Sequence, residues 1–198
     1  MDLRTYLGNI NRVLDSIRGD SVDNFVTLLV RAHTEGRMVF VIGNGGSAAN
    51  ASHFVQDLAK GVIPDRTVKK RIRALSLCDN LAYITAVGND DGYEHVFESQ
   101  LKTLAQAGDI LVAISGSGRS KNITLAVDYA KELGMSVVGI TGFDGGTLIK
   151  SANLVVHIPL NEMCTVEGIH SVVLHYIVLR LREILTGVPF DHSCFEFR

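Results

Sequence analysis

Five short apolar runs punctuate the chain: MVFVIG (38–43), RALSL (73–77), DILVAIS (109–115), MSVVGIT (135–141) and NLVVHIP (153–159). A strand with one wet face would alternate apolar and polar residues. Runs this short and this uniformly apolar instead fit parallel strands covered on both faces. Amphipathic segments lie between them, and that alternation predicts an α/β fold, a doubly wound sheet of five parallel strands. Leu3, Tyr6, Leu7, Ile10, Val13, Leu14 and Ile17 recur at helical spacing, as do Val22, Phe25, Val26, Leu29 and Val30, so two helices precede the first strand. A third long helix runs from about 162 to 186 and is stopped by Gly187 and Pro189. No linker-like stretch divides the 198 residues, which read as one domain, 1–198, with 1–36 as an N-terminal helical extension.

Charge narrows the partners. Nineteen Lys and Arg against 21 Asp and Glu give a net charge of −2, which favours neither nucleic acid nor an anionic membrane. The basic cluster RTVKKRIR (66–73) reads as a solvated loop entering a strand. Cys78, Cys164 and Cys194 are odd in number and show no CxxC spacing, so reduced thiols in a cytoplasmic protein are expected. No uninterrupted apolar run approaches the roughly 20 residues of a membrane span, and the first residues lack the apolar core of a signal peptide.

In a doubly wound sheet, ligands bind at the carboxyl ends of the strands. Two strands here lead into loops of small residues, GNGGSAA (43–49) and SGSGRSKN (115–122). Glycine lets the backbone approach an anion, serine hydroxyls donate, and the following helix N-terminus adds free N–H groups. Two such loops on one sheet edge point to phosphate. The chain has no GxxxxGK[ST], so a P-loop is excluded. Gly43-x-Gly45-x-x-Ala48 meets the minimal dinucleotide pattern, but no acid ends the second strand at the required distance of about 20 residues. Asp65 precedes that strand and Asp79 comes too late, so no nucleotide cofactor is expected.

GNGGSAA followed by HF, then AVGND (86–90), the pattern GD-L-AIS-SG-S (108–120) and TGFDGG (141–146) occur in an order and spacing that resemble the sugar isomerase (SIS) domain family over nearly the whole chain. Within it, the phosphoheptose isomerases are most similar. The resemblance implies a flavodoxin-like SIS fold and an aldose–ketose isomerase converting sedoheptulose 7-phosphate to D-glycero-D-manno-heptose 7-phosphate. It equally accommodates a phosphosugar-binding module without catalysis. It further implies homotetramers with sites at subunit interfaces, in line with the broad apolar surface of the last helix (IHSVVLHYIVLRL) and of the two N-terminal helices.

By position, the resemblance assigns Asn44, Gly45, Gly46 and Ser47 to the first substrate loop, Asn89 and Asp90 to the second, and Ser115, Gly116, Ser117 and Ser120 to the phosphate. Asp57 and His175 match the catalytic base and acid, and Glu167 a substrate-contacting residue. Departures accompany the match: Asp57 stands for a Glu, Glu167 for a Gln, Gly116 for a common Thr, Gly61 for an Arg, and Cys164-Thr165 for an Asp followed by Arg or Lys.

Spacing adds a metal reading. His53 and Asp57, at i and i+4, share a helix face. Glu167 and His175 lie about 80 degrees apart around their helix, and two His with two carboxylates suit zinc. Some resembling isomerases hold zinc at these four positions. His170 reads as a packed residue, and His157 and His192 are given no role.

Overall fold

The computed structural model describes residues 1–195. Helices α1 (Leu3–Asp15) and α2 (Gly19–Glu35) lead into β1 (Met38–Gly43), followed by α3 (Gly46–Gln56) and a π-helical turn, Asp57–Gly61. Then come β2 (Arg73–Ser76), α4 (Leu81–Asp90), a 3-10 turn at Tyr93–His95 and α5 (Glu98–Leu104). The second half alternates β3 (Ile110–Ser115), α6 (Lys121–Glu132), β4 (Ser136–Thr141), α7 (Leu148–Ser151) and β5 (Leu154–His157). It closes with α8 (Met163–Thr186) and a 3-10 turn, His192–Phe195.

All strand pairings are parallel, in the order β2-β1-β3-β4-β5. This is the doubly wound arrangement, with the reversal of strand order beside β1 and β3. Alternate strand residues point to opposite faces, and two cores result. Val39, Val41, Val112, Ile114, Val138 and Ile140 pack under α2, α3 and α8. Phe40, Ile42, Leu111, Ala113 and Val137 pack under α5, α6 and α7. The uniform apolarity of the runs is explained: both faces of the sheet are covered.

Within residues 1–36, the two helices differ. α2 buries Val22, Phe25, Val26, Leu29 and Ala32 in the core, whereas α1 has no buried residue and leaves Leu3 70% and Leu7 49% exposed. The basic stretch is spent on local structure. Lys70 donates to the Thr34 carbonyl, Arg73 to that of Gly36, and Arg71 to those of Ile63 and Asp65. The three cysteines are free.

α8 ends on Gly187 in a left-handed conformation (φ 69°) and starts on Glu162, whose carboxylate accepts from the Cys164 and Thr165 N–H groups. By length and composition α8 could cross a bilayer. Instead its buried stripe, including Val166, Ile169, Val173 and Ile177, is core, as in the central helix of a soluble protein. His170 lies fully buried in that stripe. Its Nε2–H donates to the Thr141 carbonyl at 3.2 Å, and its Nδ1 has no partner.

Burial holds His170 neutral, with its pKa pushed down to about 4. The unfolded chain therefore binds a proton that the folded one refuses. The associated stability is complete above the unfolded value of about 6.5 and is lost as pH falls from there through 4, by about 3 kcal/mol in all. Urea unfolding of His170→Gln should show a pH dependence weaker by one proton across that window. An unchanged slope would contradict this account.

Candidate active site

Two depressions lie along α3 and α8, the first at the carboxyl edge of the sheet and the second farther along both helices. The first, of about 120 Å³, is lined by Asn44, Ser47, Ile114, Ser115, Gly116, Ser117, Ser120, Met163 and Glu167. Among the described residues, no lysine or arginine lines it. An anion there would be held by hydroxyls and by the N-termini of α3 and α6, both of which start at this edge.

The β3–α6 loop is shaped before any ligand arrives. Ser115 Oγ accepts from Gly118 N–H at 3.1 Å, and Ser117 Oγ from Arg119 N–H at 3.3 Å. Each hydroxyl proton remains available to donate. Ser120 precedes α6 without using its side chain as a cap. The loop is tied to TGFDGG after β4: Gly142 N–H donates to the Gly116 carbonyl, and Leu148 N–H and Thr147 Oγ1 to that of Gly118. Arg119 forms a two-pronged ion pair with Asp144, which holds that carboxyl far below the usual range with help from Gly146 N–H. Gly118 has φ +63°, and a Cβ there would lie 2.0 Å from the Gly145 carbonyl oxygen, so only glycine fits. At Gly116, a Cβ would meet Met163 Sδ at 2.6 Å. Met163 thus fills the space that a threonine would take.

The second depression, about 10 Å³, is lined by Asn50, His53, Phe54, Asp57, Ser171, Leu174 and His175. That is the room for one water or ion. Asp57 Oδ2 stands 3.6 Å from His53 Nε2 and 3.6 Å from His175 Nε2, too far for direct hydrogen bonds. The imidazoles meet edge to face at 4.8 Å, and candidate ligand atoms of all three residues lie within 4.8 Å of one another. Asp57 is 18% exposed, whereas His53 and His175 are 53% and 50% exposed. Asp57 caps α3 just where the helix widens into the π turn, closed by Val62 N–H to the Asp57 carbonyl. π turns often occur at functional sites.

Glu167 corrects the expectation of four converging ligands. Eight residues along α8 separate it from His175 by about 12 Å of helix axis. Its carboxylate instead lies against Gly46, where a Cβ would sit 2.2 Å from Oε2. It therefore borders the first depression, and it is absent from the His53–Asp57–His175 cluster. Asn89 and Asp90 are also not brought to the pocket. They end α4 exposed and bond to each other at 2.7 Å.

Two residues outside the assigned set do reach it. Asn122, on α6, exchanges two hydrogen bonds with Asn44 (3.0 and 2.8 Å), and the Tyr93 hydroxyl donates to Asn44 Oδ1 at 2.9 Å. Asn122 falls inside the SGSGRSKN stretch, and Tyr93 follows AVGND closely. Those positions were their only signal in the sequence.

A family model described as SIS domain matches residues 5–142. The chain belongs to the SIS domain family. A phosphoheptose isomerase of Geotalea daltonii is 33% identical over 189 residues, covering 94% of this chain and 97% of that one. The structure of a phosphoheptose isomerase from Neisseria gonorrhoeae superposes with a TM-score of 0.82 at 28% identity, covering 94% and 97% of the two chains. One from Francisella tularensis gives 0.84 at 26% identity, covering 91% and 96%.

If the β3–α6 loop holds phosphate, Ser117→Ala removes a donor to a charged group, worth about 1.5–3 kcal/mol. Calorimetry should show phosphosugar affinity falling by roughly 10- to 100-fold. Unchanged affinity would remove the loop from the phosphate site.

Proposed function

We propose that this protein is an aldose–ketose isomerase converting sedoheptulose 7-phosphate to D-glycero-D-manno-heptose 7-phosphate. One observation carries the reading. A His53–Asp57–His175 cluster faces solvent farther along α3 and α8 from a cation-free, hydroxyl-lined pocket that the first turns of the same two helices help to wall. A phosphosugar anchored in that pocket extends its other end toward a carboxylate and two imidazoles. The similarity to enzymes named phosphoheptose isomerase supports the same substrate.

The reaction moves one proton between adjacent carbons through an enediolate. Ser115, Ser117 and Ser120 hold the phosphate, with Gly45, Gly46, Ser47 and the Gly116 backbone closing around it. Asn44 and Glu167 contact the sugar between the anchor and the reacting end. Asp57 takes the proton from the hydroxyl-bearing carbon beside the carbonyl and returns it to the former carbonyl carbon. His175 carries the matching proton between the two oxygens, the general acid–base role that imidazole most often fills. Asn89 and Asp90, remote from this pocket, would act on substrate only in an assembly that brings them to a site.

His53, Asp57 and His175 fit a zinc ion: two imidazole nitrogens and a carboxylate oxygen around a cavity of about 10 Å³ form a three-ligand set with an open position. Bound zinc would polarise the sugar carbonyl as a Lewis acid. Glu167, against Gly46, lies outside this set.

The half-exposed imidazoles, with Leu3, Leu7, Val172 and Tyr176 uncovered around α1 and α8, support a homotetramer in which a neighbouring subunit walls the site. Free thiols fit a cytoplasmic location. Sedimentation at micromolar concentration should find an assembly of about four 21.5 kDa chains. A purely monomeric species would refute it.

Asp57→Asn keeps the shape and removes the basic oxygen. NMR of sedoheptulose 7-phosphate turnover should show kcat lower by about 10²–10⁴-fold with phosphosugar still bound. His175→Gln should behave alike, and the double variant should cost little more than the worse single change. Zinc content measured in each variant separates proton transfer from metal loss. Wild-type turnover in metal-matched Asp57→Asn would overturn the mechanism.

A further inference from the structure

Asn44 ends the first loop's approach to the pocket, and its amide is almost fully committed. Oδ1 accepts from Asn122 Nδ2 at 2.8 Å and from the Tyr93 hydroxyl at 2.9 Å, which uses both lone pairs. Nδ2 gives one hydrogen to Asn122 Oδ1 at 3.0 Å. One N–H is left, and it is the sole uncommitted polar group of a side chain that lines the pocket. Asn122 is 3% exposed and, among the described residues, its amide has no other partner. A buried amide that exchanges both its bonds with one neighbour fixes the plane and position of that neighbour's amide, although a joint flip of the two amides would keep both bonds.

We propose that Asn122 and Tyr93 are positioning residues that hold the Asn44 amide in place at the pocket wall, with one polar atom presented to the phosphosugar. The inference deepens the isomerase reading and rests on it for the substrate class. An asparagine without such partners can swing its amide away from a ligand. In the arrangement here the atom presented is N–H, which suits a phosphate, carbonyl or enediolate oxygen. A donor held in place before reaction also needs no reorientation as negative charge develops on oxygen. The three residues come from the β1–α3 loop, α6 and the 3-10 turn after α4. The contact therefore joins the phosphate loop's helix to the segment after AVGND, and it gives that segment a part in the site that Asn89 and Asp90 do not play directly.

The test is a double-mutant cycle. Asn122→Leu, close in volume and neutral, removes both bonds to Asn44, while Asn44→Ala removes the group being positioned. In the wild-type background, Asn122→Leu should lower kcat/KM by about 5- to 100-fold, the range expected when a polar group loses a buried partner. In the Asn44→Ala background the same change should cost less than about 2-fold, because nothing remains to be oriented. Equal losses in both backgrounds would overturn the proposal and make Asn122 a purely structural residue. Tyr93→Phe, at a position 55% exposed, gives a second cycle should Asn122→Leu fail to fold. It is expected to cost about 2- to 10-fold with Asn44 present and nothing with Ala there. If wild-type protein makes no aldose from sedoheptulose 7-phosphate, the isomerase reading fails by itself. The same cycles, read as phosphosugar affinity in calorimetry, then decide the positioning role, with equal losses again counting against it.

Discussion

The pairing of β1 with β3 organises the molecule. These strands sit side by side although β2 intervenes in sequence, so the chain leaves the sheet edge in opposite directions after each. The two departing loops open a crevice between them, and α3 and α6 begin with their N-termini at its rim. A polar crevice in an otherwise apolar sheet needs its own internal partners. The Asn44–Asn122 exchange supplies them, bonding residues 78 positions apart across the point where the strands diverge.

α8 closes the same crevice from behind, and it does so with one continuous helix that is also core. Its buried stripe holds α2 and α3 against the sheet, and Asn50 on α3 donates to the Glu167 carbonyl at 3.0 Å. Because the helix is rigid and rises about 1.5 Å per residue, Glu167 and His175 cannot meet side by side along it. One faces the pocket by Gly46 and the other faces Asp57. The separation leaves the hydroxyl-lined depression at the start of α8 and the His53–Asp57–His175 depression about 12 Å farther along it.

The sequence made the sheet legible because burial on both faces leaves an unmistakable run of apolar residues, and β1 to β5 lie inside the five runs. The β3–α6 loop stood out because glycine and serine clustered at the end of a buried strand suit the close approach of an anion, and the structure places it at the carboxyl edge, lining the first depression. His53 and Asp57 were legible as a pair from their one-turn spacing, and His175 only through the family resemblance. Tyr93 and Asn122 were not, since each is fixed by a partner 49 or 78 residues away, and no local pattern encodes that. The π turn was equally hidden: DLAKG shows nothing that distinguishes it from an ordinary helix end. Glu167 was misplaced because an angular argument around α8 says where residues point and ignores how far apart they rise.

The placement of Glu167 links two of this chain's departures from its family. A carboxylate in place of an amide brings negative charge to the wall of an anion pocket, which would oppose phosphate by itself. It rests, however, against the first residue of α3, where the helix dipole is positive and favours an anion. Gly46 makes the contact possible, since any Cβ would occupy the carboxylate's place. The β3–α6 loop leads into a different helix, α6, and has that N-terminus to draw on. Under the proposed function two anions could share one crevice because two helix N-termini serve it, one for the resident carboxylate and one for the ligand. That arrangement follows from the strand order, which brings α3 and α6 to the same edge, and under the proposed function it would let a pocket without lysine or arginine hold phosphate beside a glutamate.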